Sequence, residues 1–143
     1  MRAAFDRMKH ALGTYDFLTV LGICLTDRGS ESGDPNALET GINGIERTSL
    51  YYCDPMHSNQ KGGIEEVHTL LRMIFPKGTV FTHLTQWNVQ KCVDHINGYA
   101  REKLRGATPY DLSLQKSGLD ILWALQLKYV VPDEVTLTPK LLK

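Results

Sequence analysis

The sequence predicts an α/β layer fold that is incomplete at its N-terminal side. Three observations carry this expectation. Segments with helical and strand-like patterning alternate as helix, strand, helix, strand, helix along the 143 residues. Residues 17–25 form a nearly continuous apolar run containing Val20 and Ile23, the pattern of a strand buried on both faces. Only two strand segments can be found, which is few for an α/β sheet, so the first strands of such a domain are expected to be absent.

Each element has its own signal. Residues 1–13 read as a helix, because Phe5, Met8 and Leu12 recur at helical spacing and Gly13 supplies a stop. Gly22 within the apolar run confines the first strand to its second half. Asp34 and Pro35 open a short helix, as N-cap and first helical residue. Gly41 and Gly44 loosen the chain before a second strand over residues 48–53. Beyond the loop containing Asp54-Pro55 and Gly62-Gly63, Ile64, Val67, Leu71 and Ile74 form the apolar seam of a strongly amphipathic helix, which Pro76 ends. Thr85 caps a further helix with Val89, Cys92, Val93 and Ile96 as its buried stripe. Thr108-Pro109 reads as a turn. A last helix around Leu119, Leu122 and Trp123 precedes a tail containing proline. The expected division is residues 1–112 as the main domain and residues 113–143 as a C-terminal helix and tail.

Composition excludes several classes. Hydrophobic residues make up 42% of the chain, too many for a disordered protein. Sixteen Lys and Arg balance sixteen Asp and Glu, so any nucleic-acid contact must rest on local sites and not on a global field. Three widely spaced cysteines, Cys24, Cys53 and Cys92, argue against a disulfide framework and suit a reducing, cytoplasmic setting. No apolar run reaches membrane-spanning length, and the amphipathic N-terminus does not read as a signal peptide. The chain holds no repeats and no low-complexity tracts.

Two constellations bear on chemistry. Thr26-Asp27-Arg28-Gly29 follows the first strand, and α/β sheets place functional groups after the C-terminal ends of strands. The alternative is a plain strand-to-loop turn, since Asp and Gly are turn formers. The second is the polar loop Ser58-Asn59-Gln60-Lys61-Gly62-Gly63, which runs into the amphipathic helix. Projected at 100° per residue, Glu65, His68 and Arg72 of that helix share the side away from the apolar seam. They form either a solvated face with a Glu–His pair or a face that presents an acid, a base and a cation together. Cys92-x-x-His95 has zinc-like spacing, but without a second pair it reads as a core cysteine beside a surface histidine.

At these residues the chain resembles a known family. Thr26-Asp27-Arg28-Gly29-Ser30-Glu31 is similar to the second-aspartate motif of DDE-type transposases and integrases. Asp54-Pro55, Ser58, Gln60-Lys61-Gly62 and Glu65 resemble the motif that carries the family's glutamate, and Leu70-Leu71-Arg72 with Phe75-Pro76-Lys77-Gly78-Thr79 resembles the segment after it. Asn97, Arg101, Leu104 and Thr108-Pro109 resemble a further motif. The motifs stand in the family's order over roughly residues 25–112, and the subgroup resembled is the insertion-sequence transposases. Departures occur as well. Ser32 replaces a usual aromatic, Ala100 a usual proline, and Arg105 interrupts a usual Leu-Gly. Glu65 lies 38 positions after Asp27, a few more than usual, with the extra length around Gly41–Gly44, where insertion costs little.

The resemblance implies a partial RNase H-like, integrase-type core lacking its first strands, followed by C-terminal helices. It implies DNA transposition by metal-dependent cleavage and strand transfer at phosphodiesters, in a bacterial cytoplasm at the nucleoid. Two Mg²⁺ or Mn²⁺ ions serve the intact core. Asp27 and Glu65 are the implied catalytic and metal-binding carboxylates. The family's first aspartate has no counterpart here, since Asp6 and Asp16 fall on or beside the first helix, so weak metal binding and little turnover are expected. Gln60, Lys61 and Arg72 are the implied DNA contacts. Lys61 can equally be a solvated loop lysine, and Arg72 can pair with Glu65 or with a neighbouring acid. Transposon ends, target DNA, a second copy or a full-length transposase are the implied partners, and no membrane. Two other readings stand beside this one: a non-catalytic remnant that binds DNA or interferes with transposase, and a small metal-binding α/β domain using Asp27, Glu65 and His68.

Overall fold

A computed structural model of the protein describes residues 2–26, 34–41, 44–54 and 62–142. It is mixed α/β and mostly helical, and its contacts divide the chain into two compact units, Met1–Gly62 and Gly63–Lys143.

The first unit holds α1 (Arg2–Leu21), β1 (Ile23–Thr26), α2 (Pro35–Glu39) and β2 (Ser49–Tyr52). Gly13 breaks α1 as anticipated, with φ +73° and ψ 174°, but the chain then resumes helix instead of entering the strand. Burial explains this. Phe5 and Phe17, on opposite sides of the break, meet edge to face at 6.1 Å and are both buried, so the second helical half docks Phe17 against the first. The strand expected over residues 17–25 therefore shrinks to four residues after Gly22. It is not buried on both faces either: Ile23 is 74% exposed, and Leu25 and its register partner Tyr51 are exposed. Among the described residues β1 has β2 as its paired neighbour, and its alternate side chains Ile23 and Leu25 lie in solvent.

β1 and β2 pair in parallel, Ile23 opposite Ser49 through Thr26 opposite Tyr52, and the ladder continues one bond further from the Cys53 N–H to the Thr26 carbonyl at 2.8 Å. Parallel pairing requires a crossover, and the crossover carries α2. Asp34 caps α2 as the sequence indicates, its Oδ1 accepting the Ala37 N–H at 3.1 Å, with Pro35 at the first turn. Thr40 and Glu46 bridge antiparallel, and the Glu39 carboxylate accepts the Leu50 N–H at 2.8 Å.

The least expected residue of this unit is Arg47, which is only 1% exposed. Its Nε donates to the Leu38 carbonyl at 2.7 Å and its Nη2 to the Ala37 carbonyl at 2.9 Å, satisfying acceptors at the end of α2. Its Nη1 pairs with Asp6, and its guanidinium lies over the Phe5 ring at 5.6 Å. One side chain thus ties α1, α2 and the approach to β2 together.

The second unit holds α3 (Gly62–Ile74), α4 (Gln86–Asn97) and α5 (Pro109–Ala124), with short 3₁₀ turns at Glu102–Leu104, Pro132–Glu134 and Pro139–Leu142. Its core is Leu70, Ile74, Cys92, Ile96 and Leu141, flanked by Leu71, Phe75, Leu137 and Leu142. The apolar seam of α3 centres on Leu70 and Ile74, while Ile64 is exposed. Thr85 caps α4 as read, in a reciprocal capping box with Asn88. Val89, placed in the buried stripe, is exposed, and the buried polar member of α4 is Asp94. Asp94 accepts from Gln90 Nε2 at 3.1 Å and from the Lys128 N–H at 3.0 Å, which holds the turn after α5 onto α4. Thr108-Pro109 is not a free turn: Thr108 caps α5 and Pro109 is its first residue. The last helix expected around Leu119, Leu122 and Trp123 is α5; Gly118 breaks it at φ +80°, and beyond the break Ile121 and Leu122 are buried while Leu119 and Trp123 are exposed. Among the described residues no helix is long and apolar enough to cross a membrane.

Candidate functional site

The motif residues fall on both units. Asp27, Arg28, Gln60 and Lys61 lie outside the described residues. Thr26, just before Asp27, is the last residue of β1, so the described residue of that motif stands at the carboxyl end of a sheet strand. Asp54 follows the strand at the same end of the sheet, because the two strands run parallel and Cys53 bonds to Thr26.

Glu65 lies in the first turn of α3, where the unpaired N–H groups and the helix dipole favour negative charge. The inward residues Leu70 and Ile74 fix the rotation of the helix, and Glu65, His68 and Arg72 are consequently exposed together on one side, as the projection indicates. Pro76 ends the helix, and the last helical bond runs from the Phe75 N–H to the Leu71 carbonyl at 2.7 Å. The chain then makes two tight turns. In the first, the Thr79 N–H and hydroxyl both donate to the Pro76 carbonyl, at 3.0 and 2.7 Å, with Gly78 at φ +90°. In the second, the Leu84 N–H donates to the Phe81 carbonyl at 3.1 Å. The turns return Phe81 to Phe75, with ring centroids 5.5 Å apart. Between the rings and the open side of α3 lies a cleft of about 440 Å³, lined by His68, Leu71, Arg72, Phe75 and Phe81.

Glu66, beside Glu65 in sequence, has a different role. Its carboxylate faces Arg101 Nε at 3.9 Å, and the Arg101 side chain is only 10% exposed. Arg101 Nε is buried without a hydrogen bond, so the ion pair is its compensation. The backbone around Arg101 is tightly wound: its N–H donates to the Ala107 carbonyl at 3.1 Å, and its carbonyl accepts from Leu104 and Gly106, both at 3.0 Å. The motif at Asn97–Pro109 is therefore a clip that orients α3 through Glu66. Sequence reading quoted Arg101 but missed this pairing. The available signal was an acid one position from Glu65, rotated toward the apolar side of the helix.

Of Cys92-x-x-His95, the cysteine lies in the core as expected and the histidine does not lie free on the surface. Cys92 is buried in the core, and burial pushes its thiol pKa up. His95 is half-buried and not a plain surface residue: its Nδ1 accepts the Thr136 N–H at 3.0 Å. Among the described residues no group of three or more His, Cys, Asp and Glu is arranged to hold a metal. Glu65 supplies a carboxylate of the oxygen-donor type that Mg²⁺ prefers.

Comparison with known proteins places these residues in context. Over 85 residues, 59% of this chain, it is 28% identical to the transposase for insertion sequence element IS1086 of Cupriavidus metallidurans, covering 25% of that protein. It is 32% identical over 60 residues to the transposase for IS4351 of Bacteroides fragilis, covering 42% of this chain and 18% of the relative. It is 32% identical over 63 residues to transposase InsI for IS30A of Escherichia coli, covering 44% of this chain and 16% of the relative. The chain is related to insertion-sequence transposases. It spans about a quarter or less of the length of these relatives. No family model matches it, and no solved structure matches it.

Proposed function

We propose that the chain acts in DNA transposition and carries the second-aspartate and glutamate part of an RNase H-like, metal-dependent phosphodiester site. The observation that supports this best is the order of its parts. A parallel strand pair joined by a helical crossover has Asp27 directly after its first strand, and leads from its second strand to a helix whose exposed side bears Glu65, His68 and Arg72. Asp27 and Glu65 are the carboxylates that would hold Mg²⁺, which when bound stabilises charge on the attacking and leaving oxygens of the phosphodiester. Gln60, Lys61 and Arg72 bind and orient the DNA strand through its phosphates.

A non-catalytic role has an observation in its favour. The resemblance calls for three carboxylates, and Asp6, one candidate for the third, is already held by the buried Arg47. The chain by itself is therefore expected to bind transposon-end DNA without joining it. A strand-transfer assay in Mg²⁺ or Mn²⁺, on labelled duplex carrying the cognate ends, compares the chain with Glu65→Gln. Absence of joined product from both, with DNA binding retained, is the expected result. Joined product that disappears in Glu65→Gln assigns full catalysis to the chain and overturns the non-catalytic role, while absence of DNA binding overturns the transposition reading itself.

A further inference from the structure

We propose that the cleft between α3 and the loop following it is a binding site for an unpaired nucleobase of the DNA strand, with Phe81 as its stacking platform. The inference rests on the reading of the chain as a DNA-processing protein and adds to it a residue and a ligand class.

The cleft is built for a flat ligand carrying a negative charge. One wall is aromatic. Phe75 packs against the core of the second unit, while Phe81 leans on it with ring centroids 5.5 Å apart and is itself 61% exposed. An exposed phenylalanine held in place by a packed partner and two hydrogen-bonded turns presents a π-face at little further entropic cost. Leu71 forms the floor, and the rim carries Arg72 and His68, a cation and an imidazole N–H donor. Aromatic face, apolar floor and cationic rim together are what proteins use to seat unstacked bases with their phosphates. The volume of about 440 Å³ is in the range of small-ligand clefts and suits a single base.

Position supplies the second argument. Glu65, His68 and Arg72 share one side of α3, and at about 1.5 Å rise per residue the cleft begins one turn from Glu65 and reaches about 10 Å along the helix. If Glu65 serves the phosphodiester site proposed above, a base seated on Phe81 would belong to the same stretch of strand. Extracting a terminal base from the stack costs a few kcal/mol, least where the end is already unpaired. The cleft therefore selects frayed DNA ends over closed ones. Gly78 is required for this geometry, because φ +90° at that position is strained for any residue with a side chain.

The test uses the full chain and two labelled DNAs in fluorescence anisotropy: a blunt duplex, and the same duplex with unpaired nucleotides at one 3′ end. The wild type is expected to prefer the frayed end. Phe81→Ala is expected to lose about 5- to 150-fold in affinity for the frayed end, the range for one lost stacking contact, and to leave blunt-duplex binding unchanged. Phe81→Trp is expected to keep the preference, with its indole fluorescence quenched by the frayed end alone. Phe81 is largely exposed, so circular dichroism of both variants should match the wild type. Equal binding of both DNAs by the wild type, or a preference that survives Phe81→Ala, overturns the proposal and leaves the DNA-processing reading standing. No binding to either DNA overturns both. Loss of self-association in Phe81→Ala with the frayed-end preference intact assigns the cleft to a second copy of the chain and also overturns the proposal.

Discussion

Arg47 shows how much of the first unit depends on one side chain. It is buried, pairs with Asp6, donates to the Ala37 and Leu38 carbonyls and covers Phe5. Removing a partner from a buried ion pair leaves an uncompensated charge and unsatisfied acceptors, which typically costs about 3–5 kcal/mol. Arg47→Ala is thus expected to lower the stability of the first unit by about 3 kcal/mol, since Asp6 retains partial solvent access. Arg47→Lys is expected to recover only part of this, because an ammonium cannot reach three acceptors in the planar geometry of guanidinium. Urea titration followed by circular dichroism reads the loss, and an unchanged midpoint in Arg47→Ala would remove Arg47 from this role. The sequence did not announce it. An arginine between glycine-rich loop and strand looks solvated until the fold brings Asp6 to it from 41 positions away.

Elements were legible where local chemistry decides them and obscure where tertiary packing does. Asp34, Thr85 and Pro76 act as caps and stop because each works through its own turn. The side of α3 bearing Glu65, His68 and Arg72 was readable because helical period alone fixes it. Residues 17–21 were misread because an apolar run suits helix and strand equally, and only the docking of Phe17 on Phe5 decides between them. The C-terminal tail gave no strong signal, yet its Leu141 completes the core, with Lys91 Nζ donating to the Leu141 carbonyl at 2.9 Å and His95 Nδ1 accepting from Thr136. That contact makes the docking pH-dependent. Burial lowers the His95 pKa, the Lys91 charge lowers it further, and Asp94 and Glu134 oppose the shift. A histidine whose pKa is depressed on folding contributes stability that is fully present above its unfolded value near 6.5, and lost as pH falls through its lower folded value. Protonation also turns the Nδ1 acceptor into a donor facing the Thr136 N–H. Between pH 7.5 and 5 the urea midpoint of the second unit is expected to fall in wild type. His95→Asn keeps an acceptor and does not titrate, so its midpoint should fall less, and an identical fall in both proteins would count against this contact.

For the molecule as a whole, charge balance sets how it can engage DNA. With sixteen cations against sixteen anions there is no long-range attraction to draw the chain onto a duplex, so affinity must come from a few local contacts. Each phosphate neutralised on B-DNA contributes about −0.9 to the slope of log K against log salt. Lys61 and Arg72 are the two cations assigned to the strand, so a slope near −2 is expected, far shallower than that of proteins with broad basic surfaces. Arg72→Gln should reduce the slope by about one and weaken binding to all sequences alike, because phosphate contacts position DNA without reading it. Lys61→Gln should do the same, and the double variant should bind with almost no salt dependence. Phe81→Ala, by contrast, should leave the slope unchanged while lowering affinity for frayed ends, since stacking releases no counterions. Anisotropy titrations from low to physiological salt separate the two kinds of contact. A wild-type slope several times steeper would mean that other cations, such as Lys77 in the turn after α3, carry the DNA, and a slope that does not respond to Arg72→Gln would take that residue off the phosphate path.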